Sequence, residues 1–484
     1  MIHHATSYLE RNRICKKHHV EHTGSNAYLL DFYDYLGEFE KGKKLISYLL
    51  TLIVDSPEGA KVFYPGHLNP MNMSQNVIDT GTAVDTISRF AANNREAFSE
   101  EEHARIIGAL TEVIETYLAE ASRNKQITNQ RLWGLTGVAS YARYIKSTAY
   151  NATIKESIER AFADMTEDGF FRYYPGAKAQ GDFEGYDAMS AFYQSRHIAF
   201  IRYALSSAGI PDAPYAVHLE KAERALLSMY TAEGVKDMRM ECKRWYWQTP
   251  YEVASHSFDA YALATSVISE AEGALNNVLY QVRRHFRDGH LHAALGPRVN
   301  FQCPIFWTAH LAWVLRIPGI EARFDAAKDL VPFVFDFSGK DVHTHTAPGE
   351  RILINASLGA RNPSTGIFDN GLPDVAVWSW RFPKLPPRLI FSTREMANHT
   401  WYALRGFHFL EAALRVWCFL KELFVLFLPR YSTRYGKLKT VRRITDRTES
   451  GGAFEISVIP ATKYGTVAKD PLVIHLPFHA VSHR

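Results

Sequence analysis

From about residue 26 to residue 320, two kinds of helical pattern take turns along the chain. One kind is amphipathic, with apolar residues at helical spacing and charges elsewhere, as in Ser99–Ala121, Asn151–Ala163 and Tyr215–Tyr230. The other is poor in charge and rich in small, aromatic and uncharged polar residues. Its copies begin near Ala27, Val77, Asn129, Glu184, Tyr251 and Pro304. A helix buried on most sides loses its charged face, whereas one with a wet side keeps it. Six inner helices, each followed by an outer one, predict a mainly α protein: an (α/α)6 toroid of hairpins, with an open solenoid of the same hairpins as the alternative. The last outer helix, near Ile320–Leu330, has the weakest pattern.

A repeated turn supports this division. Ser56-Pro57-Glu58-Gly59, Thr166-Glu167-Asp168-Gly169, Thr231-Ala232-Glu233-Gly234 and Arg287-Asp288-Gly289 each follow an outer-type pattern. The glycines are 110, 65 and 55 residues apart, which fits a unit of roughly 55 residues with one copy lacking its signature. The glycine is expected at the left-handed C-cap of each outer helix.

Beyond about Val331 the pattern changes. Ile352–Asn355, Val375–Trp380 and Phe454–Val458 read as short strands separated by Gly, Pro and Asn clusters. The expected organisation is an N-terminal extension (1–25), the helical toroid (26–330), and a smaller β-containing C-terminal domain (331–484). That last region also carries an apolar helix, 407–428, with His408, Glu411, Arg415 and Glu422 in one narrow stripe. Arg430, Arg434, Lys437, Lys439, Arg442 and Arg443 follow it. Such a helix packs inside the protein or lies in the plane of a membrane, with 407–443 meeting anionic lipid. Its four charges, Glu411, Arg415, Lys421 and Glu422, argue against a membrane crossing.

Composition narrows the class of protein. The 484 residues are 46% hydrophobic and 22% charged, as in a folded protein, and the net charge of +4 is small for a dedicated nucleic-acid binder. Cys15, Cys242, Cys303 and Cys418 match no metal-ligand spacing, so no metal and no cofactor is expected. His343/His345 and His290/His292 are lone pairs without a third ligand. The first twenty residues have no apolar core of a signal peptide, which makes the cytoplasm the expected location, with peripheral contact at the inner membrane face as the extension.

Chemistry concentrates near the beginnings of the inner helices. On the fourth, Tyr186, Ser190, Tyr193 and His197 stand at i, i+4, i+7 and i+11, a stripe about 60° wide. On the fifth, Glu252, His256 and Asp259 share a face, after the aromatic and cationic run that holds Trp245 and Trp247. Asn300 and Gln302 precede the sixth, which carries Trp307 and His310; Asn72, Gln75, Asn76 and Asp79 cluster near the second. A polar stripe on a buried helix must face something wet or chemical. Aromatic platforms beside amides and cations suit an oligo- or polysaccharide.

At these residues the chain resembles the (α/α)-toroid polysaccharide lyases, loosely the heparinase II/III and alginate lyase groups. The resemblance covers the hairpin ring and the β-containing region after it. Its local part is Asp182-Phe183-Glu184-Gly185-Tyr186 leading into Ser190, Tyr193 and His197. It implies β-elimination on a uronic-acid polymer. Tyr193, with His197 or His256 as partner and Tyr186 nearby, would handle the protons. Gln75, Asn76, Asn300 or Arg196 would neutralise the carboxylate. Trp247, Glu252, Gln302, Trp307 and His310 would complete the binding surface. An ordinary tyrosine pKa is about 10, so a base role for Tyr193 needs a nearby cation. Arg196 is expected on another face of the helix. A glycoside hydrolase on the same ring, with two carboxylates from Asp79, Asp182, Glu184, Asp187, Glu252 and Asp259, is the first alternative. A non-catalytic glycan-binding protein of polysaccharide assembly is the second.

Overall fold

The computed structural model describes residues 1–15, 20–21, 23–56, 58–64, 76–176, 189–237, 240, 255–292, 304–340, 342–348 and 350–355, the strands 375–379, 439–448, 451–459, 461–462, 465–466 and 472–479, and the single positions Phe409, Ala413 and Val416. The described chain is mainly helical, with small antiparallel sheets gathered toward the C-terminal region.

The six inner helices are present. They are Thr23–Ala27 continued by Leu29–Leu36, then Asn76–Asn93, Thr128–Tyr144, Ala191–Ala208, His256–Ala264, and Pro304–Ala309 continued by Ala312–Leu315. An outer helix follows each: Phe39–Leu50, Glu100–Val113 prolonged by a π-turn and Ala119–Asn124, Asn151–Ala163, Ala216–Leu227, Ala271–His285 and Ile320–Ala326. Burial follows the charge pattern. The third inner helix is buried along almost its whole length, whereas its outer partner buries Ile154, Ser157, Ile158, Ala161 and Phe162 and leaves its charges outside.

Each inner helix packs against the next, and Ala312–Leu315 packs against Leu29–Leu36, so the succession returns to its start. Trp313 Nε1–H donates to the Tyr28 hydroxyl at 2.9 Å across that last seam. The contacts Thr82–Trp133 and Asp85–Ser140, Trp133–Phe200 and Ser140–Tyr203, and Phe200–Phe258 and Tyr203–Tyr261 advance together along neighbouring helices. The inner helices are therefore parallel, and their N-termini lie at one end of the ring.

Two inner helices begin later than their patterns suggest. The fourth starts at Ala191, and Ser190 is its N-cap with extended backbone, its hydroxyl accepting from Tyr193 N–H. Ser190 thus leaves the helical stripe drawn through Tyr193 and His197. A serine at a helix entrance gains more by capping a free N–H than by joining the helix. The fifth starts at His256 rather than near Tyr251, which lies outside the described residues.

The repeated glycines are not C-caps. The outer helices end at Thr51, Asp164, Ser228 and Phe286, and each glycine instead occupies the tip of a small hairpin or bridge that follows. Gly59, Gly169 and Gly234 donate to the carbonyls of Ser56, Thr166 and Thr231, and those residues donate in turn to Ala60, Phe170 and Val235. The glycine φ values, 82, 88, 74 and 81°, are those a tight turn demands. Space adds a second demand: a Cβ on Gly169 would lie 2.4 Å from Lys221 O, and one on Gly234 2.6 Å from Asn277 C. These two turns thus rest on the outer helix of the next unit, whereas Gly289 faces His4 and Tyr8 of the N-terminal helix. The copy without a signature has no hairpin, because Ala119–Asn124 passes into Thr128–Tyr144 through three residues.

The expected strands are all found. Phe335–Ser338, Val342–Ala347, Glu350–Asn355 and Val375–Ser379 form an antiparallel meander, and Lys439–Thr448, Gly451–Ile459 and Leu472–His479 form a second sheet. The meander docks on the turns of the ring. Asp168 accepts from the backbone N–H of Lys340 and, at 2.9 Å, of Val342, while Thr346 Oγ1 donates to Tyr230 O. The apolar segment 407–428 lies outside the described residues except Phe409, Ala413 and Val416, which are helical and exposed. Among the described residues, no helix is long and apolar enough to cross a membrane.

Candidate functional site

The two ends of the ring differ in how their buried polar atoms are matched. At the C-terminal end, Arg316 spans the axis to Asp31 (2.9 Å) and Asp85 (2.8 Å). Arg89 also pairs with Asp31, and Ser140 and Tyr203 hydroxyls donate to Asp85. Above this cluster the axis is filled by Trp313, Phe200, Phe258 and Trp133 in mutual ring contact.

At the N-terminal end, polar atoms are buried without hydrogen-bond partners on every inner helix. They include Thr23 Oγ1, Asn76 Oδ1, Asn129 Oδ1, Gln130 Oε1, both ring nitrogens of His197, His256 Nε2 and His310 Nδ1. Buried polar atoms are almost always satisfied in folded proteins, so a concentration of exceptions asks for an occupant. Water or a hydroxyl-rich ligand meets that demand.

Arg196 is the centre of this end. It is buried, and its guanidinium carbon lies 4.2 Å from the Phe192 ring centroid, 4.6 Å from Phe258, 5.1 Å from Tyr193 and 5.7 Å from Trp133. The expectation that Arg196 faces away from Tyr193 is wrong. A long side chain three residues on sweeps back over the preceding turn and covers the ring. His310 completes the group, meeting Phe258 at 4.9 Å and Trp133 at 5.8 Å between ring centroids. Burial, then the Arg196 charge, holds His310 well below the usual histidine range, so it is neutral.

His197 sits in the wall between units. Its ring is 4.8 Å from Phe171, and burial with the charges of Arg131, Arg196 and Lys236 keeps it well below the ordinary range. His256 lies in the seam between the fourth and fifth inner helices. Its Nδ1 is 3.1 Å from Asp259 Oδ2, and Asp259 Oδ1 is 2.7 Å from Lys236 Nζ. Burial alone would push Asp259 up, but Lys236 and His256 together outweigh it and hold the carboxyl below its ordinary range. Asp79, on the second inner helix, shows the opposite behaviour. It is buried with only Gly24 N–H, at 2.8 Å, to stabilise its charge, and desolvation pushes it up to about 8.

Of the residues proposed from sequence, Tyr193, Arg196 and His310 share one environment, while His256 occupies the adjoining seam and His197 the wall. Asn76 opens the second inner helix with its amide oxygen unpartnered, and Trp307 is buried on the sixth. Tyr186, Gln75, Trp247, Glu252, Asn300 and Gln302 lie outside the described residues. The hydrolase carboxylates Asp182, Glu184 and Asp187 do as well. His290 and His292 stack at 4.1 Å, His345 Nδ1 pairs with Asp336 at 2.6 Å, and among the described residues no group of three metal-ligating side chains converges.

Sequence reasoning missed Trp133, Phe258, Asn129, Gln130 and Lys236. The last had a signal. Two residues after the turn glycine, the repeats carry Lys61, Phe171, Lys236 and Leu291. Phe171 and Leu291 point into the core, and Lys61 is half-buried on Asp55. A lysine at a position that two other copies give to the core marks a buried charge with a partner to find.

No family model matches the chain, and no curated protein matches it. A solved structure described as "Glycosidase Y48F" is similar at a TM-score of 0.39, with 11% sequence identity over 67% of this chain and 96% of that chain.

Proposed function

We propose that the chain is a carbohydrate-active enzyme that cleaves a uronate-containing glycan by β-elimination at the N-terminal end of its ring. The observation that carries this reading is Arg196. A buried guanidinium lies 5.1 Å from the ring centroid of Tyr193, which puts a fixed positive charge beside the proposed proton-transferring residue. The same cation lies at the end of the ring where the amides of Asn76, Asn129 and Gln130 have oxygens without partners.

In the reaction a base takes the C5 proton, its electron pair forms the C4–C5 double bond, the C4–O bond breaks, and the leaving oxygen takes a proton. The C5 proton is labile only when the neighbouring carboxylate is neutralised, a task suited to Arg196 and amide N–H groups. Tyr193 serves the proton transfer, with a histidine as partner. The test is direct: incubation with uronate polymers should give an ultraviolet-absorbing unsaturated product, lost in Tyr193→Phe. Absence of that product across such polymers removes the reading.

Asp79 and Asp259 favour a second reading, hydrolysis. One carboxyl is pushed up to about 8 and the other is held ionised, the division of labour an acid and a base need. They stand on the second and fifth inner helices, three places apart in a ring of six. A new reducing end without the chromophore, lost in Asp79→Asn and retained in Tyr193→Phe, would select it.

A further inference from the structure

We infer that Lys236 and Asp259 are positioning residues that hold His256 with its proton on Nδ1 and its lone pair on Nε2. Lys236 comes from the hairpin after the third signature turn and crosses to the beginnings of two inner helices. Its ammonium donates to Ala191 O at 2.8 Å and Ser195 Oγ at 3.0 Å on the fourth, and lies 2.7 Å from Asp259 Oδ1 on the fifth. The lysine thus makes two hydrogen bonds to the fourth helix and a close charge pair with the fifth. Asp259 turns its other oxygen, Oδ2, to His256 Nδ1 at 3.1 Å and to the Ser255 hydroxyl at 3.2 Å. Lys236, Asp259 and His256 are all fully buried.

An ionised carboxylate only accepts, so the imidazole nitrogen facing it must carry hydrogen. In its neutral form the ring then presents a bare Nε2, an atom without a hydrogen-bond partner. Removing Lys236 would leave a buried carboxylate free to take a proton and donate to the ring instead, reversing the tautomer. Among the described residues, the other titratable groups facing this cluster include Tyr230, whose hydroxyl burial and Asp259 hold neutral, His285 of the fifth outer helix, and His197, on which the Lys236 charge acts.

This assignment rests on the proposed elimination only for its use. There, His256 Nε2 takes the C5 proton, Asp259 balances the imidazolium, and Tyr193 delivers its phenolic proton to the leaving oxygen, recovering it from His256 afterwards. His197, surrounded by three cations, cannot fill that place.

The test uses the full chain labelled with 15N-histidine. Long-range 1H–15N correlation spectra report which ring nitrogen is protonated, and the signal missing from His256→Gln identifies the residue. The expected wild-type pattern is Nδ1–H, changing to Nε2–H in the double variant K236M/D259L. That variant replaces the ion pair by apolar volume and should stay folded. An Nε2–H wild type, or a tautomer unchanged in the double variant, overturns the inference. For activity, Lys236→Met should lower kcat by roughly 10²-fold with KM little changed. A wild type without unsaturated product defeats the elimination reading but leaves the tautomer result to decide the positioning.

Discussion

The two ends of the ring spend the same kinds of residue in opposite ways. At the C-terminal end, Asp31, Asp85 and the Arg316 side chain are buried and Arg89 is partly buried; each of these carboxylates meets a cation or hydroxyls, and the unpartnered atoms are donors on Arg316 and the Ser88 hydroxyl. At the N-terminal end, the Asp79 carboxyl has one backbone N–H and no cation, and amides and imidazoles present unpartnered atoms. Both ends are made by the same helices, about two to three turns apart. The first arrangement ties five of the six inner helices together, and the second leaves binding capacity unspent at a cost in stability. A fold that closes its ring at one end is free to strain the other.

The comparison breaks most visibly in activity. Tyr193→Phe should lower formation of unsaturated product by about 10²–10⁴-fold while leaving the unfolding midpoint near that of the wild type. Activity lost together with stability would place Tyr193 among the structural residues. Arg316→Met should do the reverse. It leaves Asp85 buried without a cation, and breaking such a pair costs about 3–5 kcal/mol, read by chemical denaturation. A loss below about 1 kcal/mol would show that the axial cluster does not hold the ring.

Asp79 sharpens the contrast through pH. Its folded-state pKa, about 8, lies above the unfolded value near 3.9. A raised folded pKa gives stability that is fully present below about pH 4 and is lost as pH rises toward 8. Asp79→Asn should therefore be close to wild type at pH 4 and more stable than it by about 2–4 kcal/mol at pH 8. A difference that stays constant across that range would mean that the carboxyl is not held neutral. The smallest effect belongs to Asn129→Ala. Its Oδ1 has no partner to lose, so stability should change by no more than about 1 kcal/mol, in either direction, while activity falls about tenfold.

Much of the architecture is legible in the pattern because burial and charge are read directly from side chains. The inner segments beginning near Val77, Asn129 and Pro304 start within one residue of their expected places, and Asn151–Ala163 is an outer helix with the expected bounds. The signature glycines were legible as left-handed positions, but whether they end a helix or turn a hairpin depends on hydrogen bonds to Ala60, Phe170 and Val235. Periodicity has no view of those. The entrance of the fourth inner helix misled for a similar reason: Ser190 fits a helical stripe by spacing, yet capping wins.

The site divides along the same line. Tyr193, Arg196, His256 and His310 could be named from helical spacing, since a polar group on a charge-poor helix is conspicuous by itself. Lys236 and Trp133 could not be placed beside them, because they come from other units, and Phe258, two residues from His256, meets Arg196 only through the packing of neighbouring inner helices. Sequence alone determined which segments are buried, how many hairpins there are, and that polar groups gather where the inner helices begin. Tertiary structure decided that Arg196 covers Tyr193, that Lys236 reaches Asp259, and that the axis is plugged at one end. Periodicity is a property of one helix, whereas a buried charge is settled by whichever neighbour closure brings within about 3 Å.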